Sequence, residues 1–409
     1  MRPAVALALA AFLVLPGTAA AQALPDQLIV GFEKKTGGSA QKRIIRRARG
    51  EPVKRFAPIR AWALRPRAGA SLEGVRALLR RSRRVAYVER DAPAGILKTP
   101  NDPLFPTQYS ENGAIANGLP AAWDIQTTCS RVAVLDTGLD TDHPDLNANI
   151  WRNRDETPGN GRDDDRNGYV DDYFGVDLVS GRGSAEDDNG HGTHVSGIVA
   201  ARGDNGAGVA GVCWSAAVMP VKFMTAAGEG LTSTVVEGIE YAVENGAKVV
   251  NASFVSSSRS RALVAEIGRA ARANVLIVAA AGNDGRDIDA RPRYPASYRS
   301  PNLLVVAAST SADTLASFSN HGAESVDVAA PGDGVVSTNL GGGYRLMSGT
   351  SMATPMVAGL AAMLRARRPG ASYSRIRSAI RRSVDRLPAF SGATSSGGRV
   401  NLARALAGI

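Results

Sequence analysis

The chain has 409 residues, 44% of them hydrophobic, and a formal net charge of +10, enough for more than one folded unit with its own core. A basic chain could seek nucleic acid or an anionic membrane, but the positive charge is confined to one segment. Residues 24–99 carry 19 Lys and Arg against 6 Asp and Glu, a net of +13, and residues 100–409 carry a net of −4. We therefore expect no nucleic-acid or membrane partner for the larger part, and we interpret the basic runs as solvated faces of a small domain.

The first 23 residues, MRPAVALALAAFLVLPGTAAAQA, have the pattern of a secretory signal peptide. Arg2 gives a positive start, an apolar run extends from Ala4 to Leu15, and A-x-A sites end at Ala21 or Ala23. No later stretch reaches about 18 uninterrupted apolar residues, so a membrane helix is not expected. The sequence thus predicts a secreted, extracellular protein.

Residues 24–99 alternate between strand and helix patterns. QLIVGF, RAWALRPR and VAYVERD favour strands, and AQKRIIRRAR and SLEGVRALLRRS favour helices. This predicts a small α+β domain in the order β-α-β-α-β. The stretch KTPNDPLFP has the Pro and Asp content of a linker, so we place a domain boundary there and a second domain at residues 100–409.

The second domain alternates apolar strands with helices. The predicted strands are RVAVLD, AVMPVKF, AKVVNAS, VLIVAAAGN, LLVVAAS and VDVAAPG, and helices are predicted for LTSTVVEGIEYAVENG and RALVAEIGRAARA. Continuous apolar strands separated by helices indicate an α/β fold with a doubly wound, mostly parallel sheet flanked by helices. In such sheets functional residues lie at the carboxyl ends of the strands.

The two cysteines, Cys129 and Cys213, form an even count in a chain expected to enter an oxidising compartment. This favours one disulfide. Two buried free thiols are the alternative, because sequence does not give the distance between the residues.

Four polar residues stand at the ends of predicted elements. Asp136 closes RVAVLD, Asn283 closes VLIVAAAGN, His191 lies between two glycines in NGHGTHVSG, and Ser351 lies in GTSMATP before a long helix pattern. A serine hydroxyl needs a base to become nucleophilic, and that imidazole needs a carboxylate to hold its tautomer. The amide of Asn283 and the backbone N–H of Ser351 could meet a developing oxyanion. Each residue taken singly could instead be an ordinary turn or loop residue.

Five motifs taken together resemble the subtilases, the subtilisin-like serine peptidases, over roughly residues 101–407. They are AVLDTGLDTDHPDL, NGHGTHVSGIVAA, VVNASF, AAAGND and SGTSMATPMVAG, in the order Asp, His, Ser. The resemblance implies a secreted serine endopeptidase that works through an acyl-enzyme, with Asp136 as orienter, His191 as general base and acid, Ser351 as nucleophile and Asn283 as oxyanion donor. His191 argues against the glutamate-based sedolisin type.

Residues 24–99 then resemble a subtilisin-type propeptide, an inhibitor and folding helper that is cleaved off. The net charge of +13 on residues 24–99 and of −4 on residues 100–409 favours electrostatic docking of the propeptide on the second domain. The tail between about Asp91 and Asn101 is expected to lie through the active site. We expect a monomer whose partners are protein or peptide substrates and its own propeptide in cis.

By resemblance, a substrate binds as an added strand between two edges, EGL with Gly230 and SFV with Ser253 and Phe254. Phe254-Val255-Ser256 replace the Leu-Gly-Gly that is frequent in the family, which should narrow the pocket for the residue before the cut. Arg293 stands near the expected pocket floor, which suggests a preference for an acidic or polar residue. The predicted substrate-binding residues are Gly230, Ser253, Phe254, Ala280, Gly282 and Arg293.

The stretch DDDRNGYVDD resembles part of an EF-hand loop and predicts a structural Ca²⁺ site. Positions 1, 3, 5 and 9 fall on acidic or amide side chains, and Tyr169 could offer its carbonyl, but position 12 is Phe174 rather than Glu. Asp172 or Asp177 could close the site; a solvated turn is the alternative. The predicted ligands are Asp163, Asp165, Asn167, Tyr169 and Asp171.

A second Ca²⁺ site follows from the family resemblance and the loop RGDNGAGVAGV, and a third is expected at Asp102. Calcium would stabilise the fold, and no metal is needed for the chemistry. The second site comprises Gln108, Asp145 and Asn205 with carbonyls of Gly203, Ala207 and Val209.

Two other classes of function stay open at this point. A catalytically silent member that binds peptides is disfavoured, because all four catalytic positions are filled. Nucleic-acid binding through the basic segment predicts an affinity that falls steeply with salt.

Overall fold

The structure, a computed structural model, describes residues 26–91, 99–110, 117–181 and 183–409. The predicted signal peptide and most of the predicted tail through the active site lie outside these residues. The chain divides into two compact units, Met1–Ile96 and Leu97–Ile409. Among the described residues, no helix combines the length and apolar character needed to cross a bilayer.

The first unit is a four-stranded antiparallel sheet with two helices. Its strands run in the order β2-β3-β1-β4, and its core gathers the apolar side chains of both helices and the inner strands. The elements are β1 (Leu28–Phe32), α1 (Gly38–Arg47), β2 (Gly50–Phe56), β3 (Ala61–Pro66), α2 (Leu72–Arg80) and β4 (Val85–Arg90).

The predicted order β-α-β-α-β missed β2. This strand lies at the sheet edge and buries only Gly50, so GEPVKRF shows no apolar alternation. Helix α2 does begin as expected, because the Ser71 hydroxyl accepts the backbone N–H of Gly74 as an N-cap.

The second unit contains most of the described strands and helices. In chain order they are α3 (Phe105–Ser110), α4 (Leu119–Ile125), β5 (Val132–Asp136), β6 (Val176–Asp177), α5 (His191–Ala200), β7 (Val218–Lys222), α6 (Thr232–Glu244), β8 (Val249–Ala252), α7 (Arg261–Arg272), β9 (Leu276–Ala280), β10 (Leu303–Ser309), β11 (Val328–Pro331), β12 (Val335–Asn339), β13 (Gly343–Met347), α8 (Thr350–Arg367), α9 (Tyr373–Arg382), β14 (Asp385–Arg386), β15 (Gly398–Arg399) and α10 (Leu402–Gly408).

Nine strands form one sheet in the order β14-β15-β11-β10-β9-β8-β5-β7-β6 in the described part of the chain. Every pair is parallel except β14 with β15. The predicted α/β fold with a doubly wound, mostly parallel sheet is confirmed. Since β9, β8, β5 and β7 are neighbours, the residues that follow their carboxyl ends meet along one edge of the sheet.

Both faces of the sheet are covered, which explains why its strands read as continuous apolar runs. Helices α5 and α8 pack on one face, and α6 and α7 on the other. The antiparallel hairpin β12–β13, which the sequence analysis did not predict, packs against α5. Burying a Val or Leu side chain contributes about 1.5–3 kcal/mol, so this core holds the edge of the sheet rigidly.

The disulfide favoured by the sequence is present. Cys129, just before β5, pairs with Cys213, before β7, and their Cα atoms lie 5.8 Å apart. The bridge ties together the segments that lead into two neighbouring strands.

Candidate active site

The sheet brings three of the predicted residues to its carboxyl edge. Asp136 is the last residue of β5, Ser253 follows β8, and Asn283 lies three residues after β9 ends at Ala280. The sequence pattern predicts Asn283 at the strand end itself; the strand stops earlier because the chain turns at Gly282, whose φ is +102°.

His191 opens α5 and faces Asp136. Its Nδ1 lies 2.6 Å from Asp136 Oδ1, and the aspartate is 1% exposed. Two glycines make this approach possible. Gly190 has φ +98° as the N-cap residue, and a Cβ on Gly192 would lie 2.2 Å from the Gly138 carbonyl oxygen.

The environment of His191 shifts its titration. Burial of the ring disfavours the imidazolium, but the charge and hydrogen bond of Asp136 outweigh burial, so the pKa of His191 is raised. The ring is therefore ready to take up a proton from a neighbouring hydroxyl.

Two residues that the sequence analysis missed connect the Asp136 and His191 segments. The Thr137 hydroxyl accepts the N–H of Gly192 and donates to Asp187 Oδ1, 2.8 Å away. Asp187 also accepts the backbone N–H groups of Asn189, Gly190 and Thr193. Burial opposes the charge of Asp187, yet these hydrogen bonds lower its pKa. The signal was in the motifs: Thr137 follows Asp136, and Asp187 precedes NGHG.

Ser351 lies in the first turn of α8. Its hydroxyl donates to the carbonyl oxygen of Ser253 at 3.0 Å, and no hydrogen bond joins it to His191 within the described structure. Ser351 and His191 nevertheless line the same cavity of about 290 Å³.

Asn283 is oriented by the start of the same helix. Its Oδ1 accepts the backbone N–H and the hydroxyl of Thr350, at 2.8 and 2.9 Å. These bonds use the oxygen, so the Nδ2 group, which has no hydrogen-bond partner among the described residues, is the side of the amide available to the cavity. Thr350, fully buried, was not singled out from sequence.

The predicted substrate-binding residues divide into two groups. Ser253, Phe254, Ala280 and Gly282 line the cavity with Ser351, and Gly230 lines an adjoining cavity that shares Phe254. Arg293 lines neither.

Arg293 instead forms an ion pair. Its Nε donates to Asp284 Oδ2 at 2.8 Å, and Arg286 contacts the other oxygen of Asp284. Arg293 is thus held by Asp284 and lines neither cavity, so the suggested preference for an acidic residue stays a prediction.

Comparisons with known proteins agree with this geometry. Residues 130–400 match the model of the subtilase family, and residues 14–91 match the fervidolysin N-terminal prodomain. The chain is 36% identical over 310 residues to thermitase of Thermoactinomyces vulgaris, covering 75% of this chain and 99% of thermitase. It is 39% identical over 270 residues to subtilisin Savinase of Lederbergia lenta, covering 66% and 88%.

The chain belongs to the subtilase family. A solved protease structure from Pseudoalteromonas arctica aligns with a TM-score of 0.64 at 32% identity, covering 76% of this chain and 99% of that one. This subtilase is thus a serine endopeptidase preceded by a prodomain, as the motifs indicated.

The acidic loop of the subtilase, residues 156–172, gathers carboxylates differently from the predicted EF-hand. Oxygens of Glu156, Asp165 and Asp172 lie within 4.8 Å of one another. Glu156 is 5% exposed, and its Oε2 has no partner in the described structure. Burial also raises the pKa of Asp172. An orphaned carboxylate oxygen beside two other carboxylates is the donor set that a hard divalent cation takes.

Two ligands predicted from the EF-hand register, Asp163 and Asp171, lie outside this cluster of three carboxylates. Asp163 accepts the N–H groups of Asn167 and Gly168, and Asp171 accepts those of residues 160 and 161, so both carboxylates stabilise turns. Of the predicted set, Asp165 and Asn167 lie at the cluster, where the Asn167 amide contacts Asp165 and Asp172. The Tyr169 hydroxyl donates to Glu237 on α6.

Residues predicted for the second metal site lie around Asp145. Its carboxylate accepts from the Asn205 amide at 2.7 Å and from the N–H of Val209 at 3.0 Å. Ala207 lies between these two residues in the chain, and Gly203 lies just before them. The Gln108 amide contacts the N–H and carbonyl of Ala210.

Asp102 joins this second site. Its Oδ2 accepts the backbone N–H of Asp204 at 2.7 Å, and the next residue, Asn205, donates to Asp145. Burial, followed by the charge of Asp145, raises the pKa of Asp102. Its Oδ1 is buried without a partner in the described structure. A separate third site at Asp102 is therefore not supported, since the aspartate shares the surroundings of Asp145.

Proposed function

We propose that this subtilase is secreted as a zymogen and cleaves peptide bonds with Asp136, His191, Ser351 and Asn283. The observation that carries the proposal is the 2.6 Å contact of His191 with Asp136 in a cavity that also exposes Ser351 and Asn283. Residue types, burial and placement agree with acyl transfer.

In the proposed reaction, Ser351 Oγ attacks the carbonyl carbon of the scissile bond while its proton passes to His191 Nε2. Asp136 holds Nδ1–H and stabilises the imidazolium that forms. The raised pKa of His191 favours this charged state.

The negative charge then moves to the substrate carbonyl oxygen. The Nδ2–H of Asn283 and the backbone N–H of Ser351 are the donors aimed at it, and the dipole of the 18-residue α8 adds to their effect. Collapse of this intermediate breaks the C–N bond, and His191 gives its proton to the leaving amine. Water, activated by the same imidazole, hydrolyses the acyl-enzyme.

Substrate is proposed to bind as a strand along residues 253–255, opposite Gly230. The two adjoining cavities, which residues 253–255 and Gly230 line, support this mode. Phe254 stacks edge-on against Phe223, with centroids 4.8 Å apart, which fixes one wall. With Val255 beside it, we expect a small or medium residue before the cut.

The proposed domains are a signal peptide at 1–23, an inhibitory propeptide at 24–99 and a catalytic domain at 100–409. The match to a prodomain family supports the propeptide. The net charge of +13 on residues 24–99 and of −4 on residues 100–409 supports electrostatic attraction between the two domains.

N-terminal sequencing of the secreted protein tests this organisation, with Ser351→Ala as the matched control. The parent should begin near residue 100 and hydrolyse peptides, whereas Ser351→Ala should retain the propeptide and be inactive. A parent that stays uncut yet is fully active would contradict the zymogen, and an active Ser351→Ala would contradict the site.

We further propose two structural Ca²⁺ sites. One is held by Glu156, Asp165 and Asp172, and the other by Asp102, Asp145 and Asn205. Buried carboxylate oxygens without partners support both, because desolvated like charges are costly until a cation neutralises them.

Calorimetric titration of the chelated Ser351→Ala protein, which cannot digest itself, tests the sites. Glu156→Gln should remove one binding event and Asp145→Asn the other. Glu237→Gln, which changes a carboxylate outside both sets, should remove none. An unchanged stoichiometry in both site variants would contradict the assignment.

A further inference from the structure

The first turn of α8 lacks one helical hydrogen bond. Pro355, four residues after Ser351, has no N–H, so the Ser351 carbonyl cannot receive the usual i+4 donor. A different donor occupies that place: the Ser253 hydroxyl donates to the Ser351 carbonyl oxygen at 3.0 Å.

The Ser253 hydroxyl is in turn oriented by a buried amide. Asn251 Nδ2 donates to Ser253 Oγ at 3.0 Å, which leaves the hydroxyl proton for Ser351. Asn251 is fully buried in β8, in register with Val134 and Val278 of the neighbouring strands.

Burial of the Asn251 side chain in this apolar strand lowers the stability of the fold. Its Oδ1 has no partner in the described structure, and an unsatisfied buried polar group costs about 1–3 kcal/mol. Every other residue of β8 is apolar and buried. In the described part of the chain, the one side-chain hydrogen bond of Asn251 goes to Ser253, which in turn donates to the Ser351 carbonyl.

Ser253 also contacts Ser351 from its own backbone, because its carbonyl oxygen accepts the Ser351 hydroxyl at 3.0 Å. One residue therefore touches both the main chain and the side chain of Ser351. Ser253 itself is 4% exposed and hardly free to move.

We propose that Asn251 and Ser253 are positioning residues whose side chains replace the helical bond removed by Pro355 and thereby fix the backbone of Ser351. This rests on the proposed role of Ser351 as nucleophile. It goes further, since it assigns a task to two side chains outside the Asp136, His191, Ser351 and Asn283 set.

Loss of these contacts should lower kcat and leave KM nearly unchanged. The backbone N–H and the hydroxyl of Ser351 both act on the transition state, and misplacing reacting groups by about 1 Å can cost about 100-fold. Ser253→Ala keeps the backbone that meets substrate. It should lower kcat about 10- to 100-fold and change KM less than about 3-fold.

A double-mutant cycle with Pro355→Ala tests the replacement directly. Replacing the proline by alanine restores a backbone N–H that can donate to the Ser351 carbonyl. In that background Ser253→Ala should lower kcat less than about 3-fold. Equal losses in both backgrounds, or no loss in either, would overturn the proposal.

Three further variants keep the test informative if Pro355→Ala folds poorly. Ser253→Thr retains a hydroxyl and should exceed Ser253→Ala in kcat more than about 3-fold. Asn251→Val should lower kcat at constant KM. Ser309→Ala, a matched buried serine at the end of β10 whose hydroxyl has no partner in the described structure, should match the parent.

Labelling with a fluorophosphonate separates failure of this inference from failure of the proposed function. If the parent labels at Ser351 but Ser253→Ala equals it in kcat, the positioning role alone is wrong. If the active parent does not label at Ser351, the nucleophile itself is wrong.

Discussion

The catalytic edge, formed by Asp136, His191, Asn283 and Ser351, and the acidic loop, residues 156–172, both concentrate polar groups but by different means. At the edge, each side chain follows a buried strand or begins a helix, so the sheet order determines which residues meet. In the acidic loop, turns made by Arg166, Gly168 and Asp171, all with positive φ, decide which carboxylates converge. Residues at element ends are therefore predictable from pattern, while residues in an irregular loop depend on turns that pattern does not reveal.

The largest expected effect is the loss of catalysis at the catalytic edge, with the acidic loop left unchanged. Ser351→Ala removes the nucleophile and should lower kcat by about 10⁴-fold or more, measured with a peptide substrate. After its propeptide has been removed in trans by a trace of active parent, its thermal unfolding in calcium should equal that of the mature parent with Ser351 blocked by fluorophosphonate. Substantial residual activity would contradict the assigned chemistry.

Asn283→Ala should lower kcat by about 10²–10³-fold, because one oxyanion donor is lost while substrate binding is retained. Steady-state kinetics on active-site-titrated enzyme measure it. A rise in KM with unchanged kcat would instead place Asn283 in ground-state binding. Asn274→Ala, remote from the cavity, controls for general effects.

Removal of calcium by a chelator should lower the stability of the fold and leave the arrangement of the catalytic edge unchanged. A site occupied at about 100 times its Kd contributes about 2.7 kcal/mol, so removing calcium should lower Tm by several degrees. Glu156→Gln should shrink that shift and keep kcat unchanged in excess calcium. Differential scanning calorimetry with and without chelator measures both, and an identical shift in parent and variant would contradict the site.

A smaller effect concerns the hairpin beneath α5. Burial lowers the pKa of His194 to about 4, and its Nε2 donates to the carbonyls of Val335 and Arg345. The pKa of His194 is about 6.5 in the unfolded chain and about 4 in the folded chain. Between these two pH values the unfolded chain binds a proton at His194 and the folded chain does not. Stability should therefore fall with falling pH by at most about 1.4 kcal/mol per unit.

Urea unfolding of the Ser351→Ala protein between pH 4 and 7 measures this slope. His194→Gln keeps a donor without titrating and should give a shallower slope. An equally steep slope in the variant would show that other groups cause it.

The smallest effect is a shift in pH dependence at the catalytic edge. Activity needs neutral His191, so it should be lost as pH falls through a pKa above the ordinary value of about 6.5. Asp136→Asn removes the raising charge, so its residual activity should half-titrate at lower pH. The profile of kcat/KM against pH measures both, and an unmoved midpoint would contradict the coupling.

Much of the edge could be predicted from the sequence, since Asp136, His191 and Ser351 each stand beside a strand or helix pattern. Three features could not. Strand β2 is an exposed edge strand without alternation, Glu156 lies outside the DDDRNGYVDD motif that it joins, and Asn251 is hidden within an apolar strand. Each depends on a contact with residues outside its own local pattern, which that pattern does not encode.

The most direct test of the central claim is fluorophosphonate labelling of the mature enzyme, followed by peptide mapping. We expect one adduct per chain on Ser351, complete loss of hydrolysis in step with labelling, and a greatly reduced labelling rate in His191→Ala. Full inactivation by an adduct on another residue, or labelling of Ser351 that leaves hydrolysis intact, would contradict it.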